Sequence, residues 1–71
     1  MPYPTNADLP DRIRTHLPQR AQDIFRAAFN SAYERYGPEH EGRVFRVAWS
    51  AVKRNYVQRS AGIWIRRRAQ A

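Results

Sequence analysis

Gly37-Pro38 divides two long stretches of helical periodicity, and that division limits the fold more than any other feature of the chain. Before it, Ala21, Ile24, Phe25, Ala28, Phe29, Ala32 and Tyr36 recur at steps of three and four. At 100° per residue they occupy about 140° of a helix surface, so residues 18–36 read as an amphipathic helix. Asp23, Asn30 and Glu34 fall on the opposite side. Glycine offers a left-handed C-cap and the proline after it cannot continue the helix, so the pattern has a defined stop. After it, Val44, Val47, Ala48, Ala51, Val52 and Tyr56 form a second stripe with Phe45 and Trp49 at one edge. A helix is predicted over 40–58.

The flanking segments are shorter. Pro2 and Pro4 keep residues 1–9 extended, because each fixes its own φ and disfavours α geometry in the residue before it. In Asp8-Leu9-Pro10-Asp11, Asp8 is a candidate cap, Pro10 suits a first turn and Asp11 favours the positive helix end. A short helix over 10–16 is expected, ended by Leu17-Pro18. Near the C-terminus, Ile63-Trp64-Ile65 follows Gly62 and reads as a short strand. Its most plausible partner is the extended leader near Tyr3. Asn30 and Ser31 are poor helix formers in mid-helix; Asn30, turned from the buried stripe, is expected to bond the leader or a neighbouring loop. The expectation is therefore a mainly α fold: one short and two longer helices in a compact bundle, with a minor two-stranded sheet pairing the leader with Ile63-Trp64-Ile65. Residues 1–71 are expected to form a single domain, with about 1–6 and 66–71 frayed.

Composition excludes several classes. Hydrophobic residues make up 42% of the 71 and include nine aromatics, too apolar a mixture for a disordered tail. There are no cysteines, so disulfides, thiolate metal sites and cysteine nucleophiles are excluded, and a reducing cytoplasm is expected. Met1-Pro2-Tyr3-Pro4 is unlike a signal peptide, and no apolar run approaches the roughly 20 residues of a membrane span. Two histidines and six carboxylates are available for chemistry. Asp8 and Asp11 are explained by a helix start, and Glu39, His40 and Glu41 by a solvent-facing turn. With no phosphate-binding glycine loop and no nucleophile constellation, neither catalysis nor a cofactor nor a metal is expected.

Charge is lopsided. The chain carries a net +7, and residues 39–71 hold eight Lys and Arg against two Glu, while residues 1–38 hold five against four. Arg43, Arg46, Ser50, Lys53 and Arg54 fall within about 100° of the second long helix by the same arithmetic. A face built only for solubility mixes signs; this one has no acidic residue beyond the helix start, and it points to a polyanionic partner. Arg66, Arg67 and Arg68 add a basic tail that suits either a phosphate clamp or plain solvation. Trp64, beside that tail, is a candidate stacking platform, whereas Trp49 is expected at the core edge.

Met1-Pro2-Tyr3, Asp8-Leu9-Pro10, Leu17-Pro18, Ala21-Gln22-Asp23-Ile24, Ala28-Phe29-Asn30-Ser31-Ala32, Val47-Ala48-Trp49, Ala51-Val52-Lys53, Tyr56 and Trp64 together resemble the ChaB family, in order and over nearly the whole chain. The resemblance implies a small, mostly helical domain with a minor sheet. It also implies the label of putative cation transport regulator, which bacterial members carry from their place beside a calcium or sodium/proton antiporter; relatives in insect viruses are associated with DNA binding. Two features depart from the family pattern. The loop 37–42 is short and weakly charged, and the tail lacks acidic residues before Trp64. Both remove negative charge.

Two readings of function follow. The first is a non-catalytic module that engages DNA or RNA through phosphate contacts from Arg43, Arg46, Lys53, Arg54, Arg66, Arg67 and Arg68, with Trp64 beside them and low sequence selectivity. The second is a regulatory adaptor that binds an acidic protein surface, such as the cytoplasmic part of a cation/proton antiporter, through an apolar patch of Phe45, Trp49 and Trp64 ringed by charge. A membrane-surface helix is the weakest alternative, because the apolar stripe it needs is required by the core.

Overall fold

A computed structural model describes residues 2–58 and 64–66, the last of these by its backbone alone. The elements are α1 (Asp11–His16), α2 (Gln19–Tyr36), α3 (Glu41–Lys53), β1 (Tyr56–Gln58) and β2 (Trp64–Arg66), with single 3₁₀ turns at Asn6–Asp8 and Pro38–His40. The chain is thus mainly helical, with a small antiparallel sheet as the only β structure among the described residues.

The two periodic stretches become an α-helical hairpin. Tyr36 lies against Arg43, Phe29 against Phe45 and Phe25 against Trp49, so numbers rise along one helix as they fall along the other. Gly37 makes the reversal with φ +83°, a conformation open to glycine and strained for other residues. The core runs through Leu9, Ile13, Leu17, Ala21, Phe25, Phe29, Ala32, Val44, Ala48, Val52, Tyr56 and Trp64. Phe25, Ile13, Val44 and Val52 are the largest fully buried side chains. α1 is tied to α2 by Gln22, whose amide donates to the Leu17 and Arg14 carbonyls at 2.8 and 3.2 Å. Those are carbonyls the short helix leaves without an internal partner.

Four expectations are corrected. α3 ends at Lys53 rather than at 58, because Tyr56 and Val57 enter a strand. That strand, not the leader, is the partner of the C-terminal one: Tyr56 pairs with Arg66, Val57 with Ile65 and Gln58 with Trp64. The period-two alternation then puts Tyr56 and Trp64 on the core face and Val57 and Ile65 on the outer one. Ile63 lies outside the described residues. Asp8 does not cap α1, whose N-cap is Pro10; its carboxylate accepts from the Thr5 N–H and hydroxyl at 3.0 and 2.8 Å, closing the turn before it. Val47, assigned to the buried stripe, is 38% exposed.

The leader is bound to α2 instead. The Tyr3 N–H donates to Asn30 Oδ1 at 3.1 Å, and Asn30 Nδ2 donates to the Tyr3 carbonyl at 2.9 Å. A single side-chain amide thus pairs with both backbone groups of one residue, as a neighbouring strand would. One helical turn back, Arg26 Nε donates to Asn6 Oδ1 at 2.7 Å, and Asn6 Nδ2 donates to Asp23 Oδ1 at 2.6 Å. Asp23, Arg26 and Asn30 fall within about 60° of the helix surface at 100° per residue, so this polar stripe of α2 is the seat of the leader. Asn30 is buried by it, and the Tyr3 ring packs on Phe29 at 4.9 Å. Burial, and secondarily the Glu41 carboxylate, raises the Tyr3 phenol above its ordinary value.

Candidate functional site: a cationic groove between two helices

Pairing α2 with α3 leaves a groove of about 800 Å³ along one side of the hairpin. Its floor is small: Ala28, Ser31 and Ala32 from α2, Ser50 and Ala51 from α3. Four arginines stand around it: Arg35 on α2, Arg43 and Arg46 on α3, and Arg54 just past the end of α3. Arg43 to Arg54 covers eleven steps, about 16 Å at 1.5 Å per residue. The exposed Val47 lies among them.

The electrostatics are one-sided. Among the described residues no carboxylate lines the groove. The ion pairs Asp11–Arg14 and Asp23–Arg26 (3.9 Å) lie elsewhere. Arg43 is held over the Tyr36 ring at 4.9 Å from its centroid, a cation–π contact that orients the guanidinium without neutralising it. Like charges gathered around one concavity raise its potential and attract an anionic group, and the alanines of the floor with Val47 give the surface an apolar component as well.

The cationic set read from the sequence is therefore divided. Arg43, Arg46 and Arg54 share the groove. Lys53 faces another, smaller one of about 390 Å³, with Arg12, His16, Trp49, Gln58 and Trp64. Helix geometry alone does not draw this line: Lys53 lies only about 20° around α3 beyond Arg46, on the Trp49 side, and the neighbouring elements decide which groove each one lines. The Arg66 side chain, Arg67 and Arg68 lie outside the described residues. Trp64 is not an open stacking platform: it is 8% exposed, and its ring stacks on Trp49 at 5.3 Å. The adaptor patch changes for the same reason. Phe45 and Trp49 are partly buried against Phe25 and, with Trp64, belong to an aromatic row that builds the core.

Arg35, Tyr36 and the exposure of Val47 are what sequence reasoning missed. The signal for Arg35 was present: Ala28, Ser31, Ala32, Arg35 and Tyr36 lie at helical spacing on α2. It acquires meaning only when α3 is placed alongside. At the second groove, His16 Nδ1 lies 2.7 Å from the Arg12 carbonyl, which can only accept, so Nδ1 carries a proton. Among the described residues no group of three or more His, Asp or Glu side chains is arranged to hold a metal ion, and no helix is long and apolar enough to cross a membrane.

Fold and site together define a small helical-hairpin protein with a two-stranded appendage and an unneutralised cationic groove. Residues 9–67 match the ChaB family. The chain is 39% identical to the "Putative cation transport regulator ChaB" of Escherichia coli K12 over 72 aligned positions, covering 90% of this chain and 95% of that protein; the Shigella flexneri protein of the same name gives the same figures. An NMR solution structure of the putative cation transport regulator ChaB superposes with a TM-score of 0.82 at 36% identity, covering 94% of this chain and all of the other. This chain belongs to the ChaB family.

Proposed function

We propose that this protein regulates cation transport as a protein-binding adaptor of a cation/proton antiporter, and that the groove between α2 and α3 is the contact surface. The name carried by its relatives supports the first part. The observation that carries the second is the company the arginines keep: Arg35, Arg43, Arg46 and Arg54 surround an exposed valine and an alanine-rich floor. Protein interfaces favour arginine together with apolar surface at their centre. A nucleic-acid backbone needs the charge alone, and the aromatic platform that suited a nucleic acid, Trp64, is taken up by the core.

The test is recovery of a transporter. The tagged protein is incubated with nuclease-treated, detergent-solubilised bacterial membranes, beside an Arg46→Glu/Arg54→Glu variant. A cation/proton antiporter retained by the wild type and lost by the variant is the expected result. Antiporter absent from both, or nucleic acid co-purifying with the wild type until salt strips it away, defeats the proposal.

A further inference from the structure

We infer that the occupant of this groove is an acidic amphipathic helix of about three turns, supplied by the protein partner. The inference deepens the proposed function and rests on it. Three features of the groove select this occupant. Its length matches: the roughly 16 Å from Arg43 to Arg54 equals three turns of α-helix. Its floor permits close approach: Ala28, Ser31, Ala32, Ser50 and Ala51 carry short side chains, and the distance between packed helices, ordinarily about 8–10 Å, shortens with the side chains at the contact. Its charges flank an apolar centre: Arg43, Arg46 and Arg54 belong to the α3 side, Arg35 to the α2 side, and Val47 is exposed among them.

The complement of that arrangement is a helix whose apolar seam at i, i+3, i+4 and i+7 is bordered on both flanks by Asp or Glu. Its seam covers Val47 and the alanines, and its carboxylates meet the guanidinium groups. An extended acidic peptide alternates its side chains between two faces and presents no such seam. A nucleic acid satisfies the arginines and leaves Val47 bare.

The experiment uses the full chain and fluorescence anisotropy. The probe is a fluorescein-labelled peptide of about 14 residues with a leucine–alanine seam flanked by glutamates. A scrambled peptide of the same composition and a single-stranded DNA of similar charge are the competitors. The ordered peptide is expected to bind at least about tenfold more tightly than the scrambled one, and to gain helical circular dichroism on binding. Val47→Asp and Arg35→Gln, both at exposed positions, should each weaken it several-fold, and Arg20→Gln, exposed outside the groove, should not. Added salt should weaken both peptides while their ranking persists. Equal binding of the scrambled peptide, tighter binding of the DNA, or indifference to Val47→Asp overturns the inference. Because the antiporter pull-down requires no helical ligand, success there with failure here removes the helix and leaves the adaptor role standing.

Discussion

Replacing Asn30 by alanine removes both hydrogen bonds that hold the Tyr3 backbone, at 3.1 and 2.9 Å, across 27 residues of sequence. Each is worth about 1 kcal/mol net, so about 2 kcal/mol is lost. Alanine is the better helix former at a mid-helix site and returns about 0.6 kcal/mol. The net cost is about 1.5 kcal/mol, a fall in Tm of about 6–12 °C for a domain of this size. Thermal and urea unfolding measure it, and hydrogen exchange at the Tyr3 amide should quicken in step. A second background sharpens the test. In a chain lacking residues 1–5 there is nothing for Asn30 to hold, so the same substitution should become neutral or slightly stabilising. The Asn30→Asp variant adds a pH signature: a protonated carboxyl offers one donor and one acceptor like the amide, whereas the carboxylate only accepts. Its folded pKa should therefore lie above the unfolded value of about 3.9. That contribution is complete below about pH 3.9 and disappears as pH rises through the folded pKa. If Asn30→Ala costs the same with and without the leader, the amide is not a clamp and the reasoning fails.

The remaining predictions concern the turn, the core and the leader. Gly42→Ala, where a Cβ meets nothing within 4 Å inside α3, should stabilise by about 0.4–1 kcal/mol in urea. Gly37→Ala, at φ +83° with Glu39 Oε1 2.9 Å from the new Cβ, should destabilise by about 1–3 kcal/mol in the same assay. Phe25→Ala should cost about 3–5 kcal/mol and bring a domain this small close to unfolding at 37 °C, as circular dichroism would report. Tyr3 contributes stability that is full below pH 10.0, its ordinary value, and is lost as pH rises through its raised folded pKa. The urea midpoint of the wild type should therefore fall more steeply above pH 10 than that of Tyr3→Phe.

Much of the hairpin was legible because its signals are local. The 3.6-residue period of Ala21 to Tyr36 and the stop at Gly37-Pro38 lie within one stretch of chain, and α2 occupies Gln19–Tyr36 against an expectation of 18–36. The C-terminal side was harder. Tyr56 fits both the helical stripe of α3 and a strand, and it is buried either way; pairing with Trp64–Arg66 decides for the strand. Asn30 was legible as a residue needing a partner, since it is out of place in mid-helix. For the site, helical spacing grouped the cations of α3 as one stripe but gave no means of seeing that its members line different grooves.

The sequence by itself determined two amphipathic helices, the turn between them, the core residues of those two helices apart from Val47, and a basic face on the second helix, since each follows from neighbours three or four residues apart. The tertiary structure alone decided that α3 yields to a strand after Lys53, that an asparagine amide rather than a sheet receives the leader, and that Arg35 joins Arg43, Arg46 and Arg54 while Lys53 turns away. It also left Val47 uncovered. These outcomes depend on which surfaces meet across tens of residues, and helical periodicity carries no information about the other side of a contact.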